Sequence, residues 1–162
     1  MFFSGLIFCS KNKGKFNCSF VHVVFKKQNS YIAKKQNMTD KVKIQLEYVI
    51  NCSPKVLYNR LSTASGLAEW FADDVRVLGK KFTFIWEGSE QTAEMALHKE
   101  NKMVRYNWLD DDNEYFEFRI SQDELTNDVS LIIIDFSEED EVDETRELWN
   151  TQVSDLKHIL GS

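Results

Sequence analysis

The sequence feature that most constrains the fold is a long amphipathic stretch near the end of the chain, from Ser137 to Leu160. Its apolar residues recur at steps of three, four and seven, so they form one stripe along a helix. At about 1.5 Å per residue, such a helix is roughly 34 Å long, which is enough to cross a small sheet. The rest of the chain must therefore supply an apolar surface that this helix can cover. The stripe consists of Val142, Leu148, Trp149, Val153, Leu156, Ile159 and Leu160.

Both ends of this stretch carry helix-terminal signals. Ser137 and Asp140 have the spacing of a capping box, with aspartate in place of the usual glutamate or glutamine. The acidic residues at 138–141 suit the positive end of the helix dipole. Gly161 follows a basic last turn, as is typical of a helix C-terminus. We therefore predict one helix that begins at Ser137 and ends at Leu160.

Charge divides the chain into two parts. Residues 1–37 hold seven lysines and no acidic residue. The remainder holds 13 basic and 26 acidic residues, so its net charge is −13. A domain this acidic is a poor candidate for binding nucleic acid or an anionic membrane surface. No apolar run approaches the ~20 residues of a membrane-spanning helix, so no span is predicted.

The amino-terminal part, residues 1–37, has no regular hydrophobic period, whereas organised patterning begins soon after Met38. Three interpretations of this part remain open: a targeting segment, a disordered basic tail, or an upstream extension that is not part of the natural protein. We favour the last and take residues 38–162 as the domain. A chain of 162 residues with 43% hydrophobic content suits one globular domain.

The cysteines do not indicate a disulfide framework, because they are odd in number and lack metal-ligand spacing. A reducing compartment, the cytoplasm, fits them best. They are Cys9, Cys18 and Cys52. The acidic runs at 110–114 and 138–144 lack the glycine and terminal glutamate of an EF-hand loop, so we predict no calcium site.

The middle of the chain predicts strands and two short helices. Apolar residues alternate from Lys41 to Asn51, which indicates a half-buried strand. Ser53 and Pro54 then open a helix to about Ser62 that buries Val56, Leu57 and Leu61. A second helix is expected from Ala64 to Phe71, bringing Leu67, Trp70 and Phe71 inward. Strands separated by Gly, Asn and Asp turns follow at 75–78, 81–87, 91–99, 103–109, 115–122 and 129–136.

This order predicts an α+β fold. Six to seven short strands form an antiparallel meander, with helices on one face only. The sheet is expected to curve around the long C-terminal helix, and the two short helices follow strand 1. The inner face is rich in aromatic side chains: Phe82, Phe84, Trp86, Tyr106, Trp108, Phe116 and Phe118.

The sequence around the two short helices resembles a known family. Residues 53–73 read SPKVLYNRLSTASGLAEWFAD, and the aromatic strand FTFIW at 82–86 and the long helix follow. This pattern resembles the START-like, helix-grip (SRPBCC) superfamily, which includes birch-pollen-allergen-like proteins, polyketide cyclases and homologues of the heat-shock ATPase activator. It is most similar to the bacterial START-like group related to those activator homologues.

The resemblance implies a cavity between the long helix and the concave face of the sheet. Members use such cavities for lipids, sterols, polyketides or other apolar molecules, and activator homologues in the strict sense act as co-chaperones. The resemblance therefore predicts non-enzymatic binding of a hydrophobic small molecule or lipid. The alternative is a protein-interaction module of co-chaperone type, with a filled core and no ligand.

The aromatic face supplies the candidate lining of that cavity, since ligand pockets are mostly apolar with a few placed polar groups. The Tyr106 hydroxyl and the tryptophan N–H groups are the polar atoms available there. The same rings could instead simply fill the core. The candidate lining residues are Trp70, Phe71, Phe84, Trp86, Tyr106, Trp108, Phe118, Trp149 and Val153.

Signals for an enzyme are weaker. None of the three histidines pairs with cysteine or carboxylate at metal-ligand spacing, and no nucleophile elbow, phosphate loop or zinc motif occurs. Asp135 or Glu117 could act as an acid or base only in a site that perturbs its pKa. Alternation along the strand places Arg119 on the solvated face. We therefore predict no catalytic residue, metal or cofactor, and an apolar molecule or a protein as the partner.

Overall fold

The computed structural model describes residues 41–110 and 114–161. The interpretations of residues 1–37, including those of Cys9 and Cys18, fall outside these ranges. Within them the predicted α+β fold is confirmed, because seven strands form one antiparallel sheet with two short helices after the first strand and a long helix at the end.

The elements follow the predicted order, with ends that shift by a few residues. The strands are β1 Val42–Ile50, β2 Asp74–Leu78, β3 Lys81–Trp86, β4 Ser89–Lys99, β5 Met103–Trp108, β6 Tyr115–Gln122 and β7 Val129–Ser137. The helices are α1 Pro54–Ser62, α2 Ala64–Ala68 and α3 Val142–Leu160, and a 3₁₀ turn, Glu139–Glu141, precedes α3.

The sheet is a meander of β2 to β7 to which the first strand, β1, is added at one side. Strands β2 to β7 pair in sequence order, and β1 pairs with β7, so the spatial order is β1-β7-β6-β5-β4-β3-β2. Every pair is antiparallel, and Ile44 lies opposite Asp135 in the β1–β7 pair. Strands β1 and β2 are therefore the two edges of the described sheet.

Alternation along the strands decides which face is covered by helices. Phe84, Tyr106 and Phe118 point to the inner face and are fully buried. Helix α3 covers that face through Trp149 and Val153, which are also buried. Alternate residues of β3, β5, β6 and β7 thus pack into one common core, as the period of two requires, whereas β2 and β4 each bury a single residue.

The structure corrects the predicted start of the long helix. Ser137 remains in β7 opposite Val42, and its hydroxyl bonds the Thr145 hydroxyl at 2.8 Å and the Glu138 carbonyl at 3.1 Å. The helix begins at Val142, and no side chain caps its first turn. Sheet pairing thus outweighs the local capping pattern, whereas the predicted stop is confirmed at Gly161, whose φ is +70°.

Two apolar residues are more exposed than predicted. Val56 is 45% exposed, so only Leu57 and Leu61 bury the face of α1. Leu97, which alternates with Ala93 and Met95 in the sequence and is therefore expected on the same face, is 49% exposed. The pairing of β4 with β5 shifts between Met95 and Leu97, and such a bulge interrupts the alternation.

The two short helices pack against each other through a glycine. A Cβ atom at Gly66 would lie 2.5 Å from the Asn59 carbonyl oxygen and 2.7 Å from the Cα of Arg60. Thr63 caps α2 by accepting a hydrogen bond from the Gly66 N–H at 3.0 Å. The glycine therefore allows the close approach that carries the chain back over the sheet.

Candidate functional site

The end of the helix pair places two aromatic side chains under the long helix. The helix α2 stops at Ala68, earlier than the predicted Phe71, and the Phe71 N–H bonds the Leu67 carbonyl at 2.8 Å. The chain then joins the sheet, because the Asp73 N–H bonds the Ile85 carbonyl at 2.9 Å. Trp70 and Phe71 consequently lie on the inner face, 7% and 6% exposed.

Phe71 lies at the centre of the aromatic cluster. Its ring is parallel to that of Trp149, at an angle of 14° with centroids 5.8 Å apart. It meets the other rings at centroid distances between 5.1 and 6.2 Å, a range in which aromatic pairs attract. Those neighbours are Trp70, Phe84, Trp86, Phe116 and Phe118.

The structure brings all nine candidate lining residues into one core. Eight of them are buried, and Trp108 is half-buried at the edge, where its ring packs 4.9 Å from that of Phe116. The sheet contributes Phe84, Trp86, Tyr106, Trp108 and Phe118, the α2–β2 segment contributes Trp70 and Phe71, and α3 contributes Trp149 and Val153. This grouping leaves their role as ligand contacts a prediction.

The indole N–H groups of the three buried tryptophans in this core find acceptors inside the protein. Trp86 Nε1 donates to the Phe71 carbonyl at 2.7 Å, and Trp70 Nε1 donates to the Arg60 carbonyl at 3.1 Å. Trp149 Nε1 donates to Asp135 Oδ2 at 3.1 Å. The inner wall therefore offers apolar contact and few groups for a polar ligand.

Tyr106 is the most deeply buried hydroxyl of the core. Its O–H donates to the Leu61 carbonyl at 2.9 Å, which ties β5 to the end of α1. Burial raises the pKa of Tyr106 far above its ordinary value, and the charge of Tyr58 acts in the same direction. The phenol therefore stays protonated and acts as a structural donor.

Sequence reasoning missed Gln152, a polar contributor to the core. It is 6% exposed, and its Nε2 donates to the Phe71 carbonyl at 3.3 Å. Its position three residues after Trp149 on the buried stripe is the signal that could have indicated it. The Phe71 carbonyl accepts hydrogen bonds from both Trp86 and Gln152. Such a backbone acceptor cannot be predicted from the pattern of side chains in the sequence.

The two carboxylates considered for acid–base chemistry lie on opposite faces of the sheet. Asp135 is buried on the inner face, with Oδ1 bonded to the Phe136 N–H at 2.9 Å and Oδ2 to Trp149. Glu117 lies opposite Ile134 and so points to the outer face. The pair therefore does not place an acid and a base at one point.

Glu117 is held between two arginines on the outer face. Its side chain is 0% exposed, with Oε2 at 2.5 Å from Arg105 Nε and Oε1 bonded to Arg119 Nε. Arg119 lies on the outer face as alternation predicts, with 45% of its side chain exposed. The Arg105 guanidinium also lies 4.1 Å from the centre of the Tyr115 ring. These contacts make the cluster an ion-pair network within the sheet.

Neither a metal group nor a membrane span is found in the described ranges. Within residues 41–110 and 114–161, no three His, Cys, Asp or Glu side chains come together as metal ligands. Over the same part of the chain, no helix is both long and apolar enough to cross a bilayer.

Comparison with known proteins decides the family. A family model described as the START-like superfamily domain matches residues 38–162. The chain belongs to the START-like superfamily. None of the proteins with curated descriptions matches it.

Solved structures with the same START-like fold are numerous. The solution NMR structure of BfR322 from Bacteroides fragilis is 42% identical to this chain, with a TM-score of 0.56, over 74% of this chain and 91% of that one. The solution structure of the Aha1 dimer from Colwellia psychrerythraea is 20% identical, with a TM-score of 0.62, over 72% and 93%. A crystal structure from Bacillus thuringiensis is 10% identical, with a TM-score of 0.64, over 75% and 100%. The last two show the shared fold alone.

Proposed function

We propose that this START-like domain is a non-catalytic binding protein that takes an apolar small molecule or lipid between α3 and the inner face of the sheet. The observation that carries the proposal is the apolar wall that helix and sheet form together. Trp149 and Val153 of α3 are buried in one core with Phe84 and Phe118 of the sheet, and the Trp149 and Phe118 ring centroids lie 5.9 Å apart. Ligand sites are lined mainly by such apolar and aromatic side chains. All nine candidate residues contribute to this wall.

The polar groups of the wall support a ligand with little hydrogen-bonding capacity. The indole N–H groups of Trp70, Trp86 and Trp149 and the Tyr106 hydroxyl all donate within the protein. A polar ligand group placed here would lose water without gaining a partner, which costs free energy. We therefore favour hydrocarbon chains, sterols or planar aromatic molecules as the ligand class.

The position of Phe71 supports a binding route by displacement. Phe71 lies outside the helices and strands, between α2 and β2, while its ring occupies the middle of the core. A ligand that takes the place of this ring would keep the contacts with Phe84 and Trp149 that the ring now makes. The free thiol of Cys52 further supports a reducing compartment, the cytoplasm, as the setting.

A second function, a protein-interaction module of co-chaperone type, is favoured by the close packing of the same rings. Phe71 contacts six neighbouring rings at centroid distances of 6.2 Å or less. Such packing is that of a filled protein interior. In this alternative the core only supports the fold, and the outer surface binds a protein.

The two functions are separated by adding ligand to the purified chain. Native mass spectrometry asks whether an apolar molecule leaves with the protein, and thermal unfolding is then measured with a fatty acid, a sterol and a planar aromatic compound. Since a ligand of the native state stabilises it by RT ln(1 + [L]/Kd), binding raises the midpoint with concentration. Val153→Phe should reduce that rise, whereas Leu97→Ala on the exposed part of β4 should not. A midpoint unchanged by all three compounds favours the filled core.

A further inference from the structure

The outermost strand β1 has an exposed edge with a self-complementary charge pattern. Among the described strands only β7 pairs with β1, so the other side of β1 presents unpaired backbone groups within the described sheet. Along its outer face lie Lys43, Gln45, Glu47 and Val49, all exposed. A strand edge of this kind can pair with another chain.

We propose that β1 is a homotypic interface, at which a second copy of this chain pairs antiparallel with β1 about a two-fold axis through Gln45. Residues whose numbers lie equally far from 45 then face each other. Lys43 of each copy lies opposite Glu47 of the other, so two identical ion pairs form. Directly opposed residues in an antiparallel pair have Cβ atoms about 4.5–5.5 Å apart, close enough for oppositely charged side chains to attract.

The charges disfavour the registers with an axis two residues away. An axis through residue 43 would place lysine against lysine, and an axis through residue 47 would place glutamate against glutamate. Like charges directly opposed across a pair of strands are destabilising. An axis through residue 44 would oppose Glu47 to Lys41, but Lys41 already forms an ion pair with Glu114 of its own chain. An axis through residue 46 would place Lys43 against Val49 and leave the charge of the lysine without a partner across the interface. Only the axis at Gln45 opposes Lys43 to Glu47.

The apolar side of the edge agrees with the same register. With the axis at Gln45, Val42 of one copy meets Tyr48 of the other on the inner face. Val42 is 36% exposed, and the Tyr48 ring is half-buried, with its hydroxyl bonded to Asn150 of α3 at 2.8 Å. Ile44 correspondingly meets Leu46. The pairing would therefore cover an exposed valine and extend the sheet across two copies.

The partner in this proposal is a second copy because β1 itself supplies both members of each ion pair, Lys43 and Glu47. An interface made mainly by one strand from each copy lies at the small end of the range for specific complexes, so the dimer should be weak and dependent on concentration. Because the ion pairs are exposed, salt should also weaken it. The proposal does not depend on whether the core holds a ligand.

Charge reversal in the full chain tests the proposal by sedimentation velocity at several protein concentrations in low salt. Lys43→Glu or Glu47→Lys alone should weaken association on the order of tenfold, because each creates two like-charge pairs. The double variant, with both charges exchanged, should associate as the wild type does. An equimolar mixture of the two single variants should form a mixed dimer.

Matched controls carry the same charge changes away from β1. Lys80→Glu lies in the exposed turn before β3, and Glu124→Lys lies in the exposed loop after β6. Neither should change association. A wild-type chain that stays monomeric at every concentration, a double variant that fails to recover association, or controls as damaging as the β1 variants would overturn the proposal.

Discussion

The inner face of the sheet is covered by three helices, whereas no described helix covers the outer face, and the two faces bury polar atoms differently. Inside, Tyr106 and Trp86 donate to backbone carbonyls, so single neutral hydrogen bonds satisfy them. Outside, the carboxylate of Glu117 is fully buried but is matched by two arginines that still reach water. These neutral donors each need one acceptor, whereas the buried charge of Glu117 is compensated by two partners that remain hydrated.

The largest expected effect lies inside the core, at Trp149. We expect Trp149→Ala to lower the free energy of unfolding by about 3–5 kcal/mol, because it leaves a cavity beside Phe71 and removes the hydrogen bond to Asp135. Denaturant unfolding measures this loss. Leu148→Ala, at a half-buried neighbour on the same helix, should cost about 1 kcal/mol. Equal losses would mean that burial does not distinguish these two positions.

The second-largest loss of stability is expected at the outer-face carboxylate of Glu117. We expect Glu117→Ala to cost about 2–3 kcal/mol, at the low end for a broken buried pair because Arg105 and Arg119 keep part of their hydration. Chemical denaturation is again the measurement. Glu90→Ala breaks the exposed pair with Arg76 and should change stability by less than about 0.5 kcal/mol. If the two variants behaved alike, the outer face would not hold a buried charge.

The inner hydroxyl of Tyr106 should give a smaller effect with a distinct pH dependence. Tyr106→Phe leaves the Leu61 carbonyl without its donor and should cost about 1–2 kcal/mol at neutral pH. Because burial raises the folded-state pKa, the phenol ionises first in the unfolded chain. The wild type should therefore lose stability relative to Tyr106→Phe as pH rises above about 10, the ordinary pKa. A difference that is constant with pH would contradict this.

The smallest effect is expected at the outer aromatic residue Tyr115. Its ring lies under the Arg105 guanidinium and meets the Phe136 ring edge-on, with centroids 4.9 Å apart. Tyr115→Leu keeps an apolar side chain and removes the cation–π contact, so we expect a loss of about 0.5–1 kcal/mol. Thermal unfolding in low and high salt measures it. A loss as large as that of Trp149→Ala would make the two faces energetically equivalent.

Much of the fold could be predicted from hydrophobic periodicity, because the strands and helices pack their apolar faces into the same core. The even-numbered residues of β1 and the rings at 82, 84 and 86 point inward as alternation predicts. Gly161 ends α3 with positive φ, as its place after a basic turn indicates. The failures are positions where tertiary pairing overrides a local pattern: Ser137 stays in the sheet, and the bulge in β4 exposes Leu97.

The candidate site was predictable in its side chains but not in its backbone contacts. Aromatic residues at strand period identify Phe84 and Tyr106 as inward-facing without any structure. The Leu61 and Phe71 carbonyls that accept from this core carry no side-chain signal, because any residue supplies a carbonyl. Their role depends on where the helix pair lies over the sheet, which is set by contacts between distant parts of the chain.

The Phe71 carbonyl, which accepts two hydrogen bonds, links the motions of three parts of the molecule: β3, α3 and the segment between α2 and β2. It receives Trp86 of β3 on one side and Gln152 of α3 on the other. If β3 or α3 separated from the segment that contains Phe71, the Phe71 carbonyl oxygen would lose a hydrogen-bond donor that water does not replace. The strand, the helix and this segment are therefore expected to move together. Backbone amides around residues 71, 86 and 152 should thus exchange with solvent as one cooperative unit, and substitutions at 86 and 152 should couple energetically across the 65 residues that separate them in sequence.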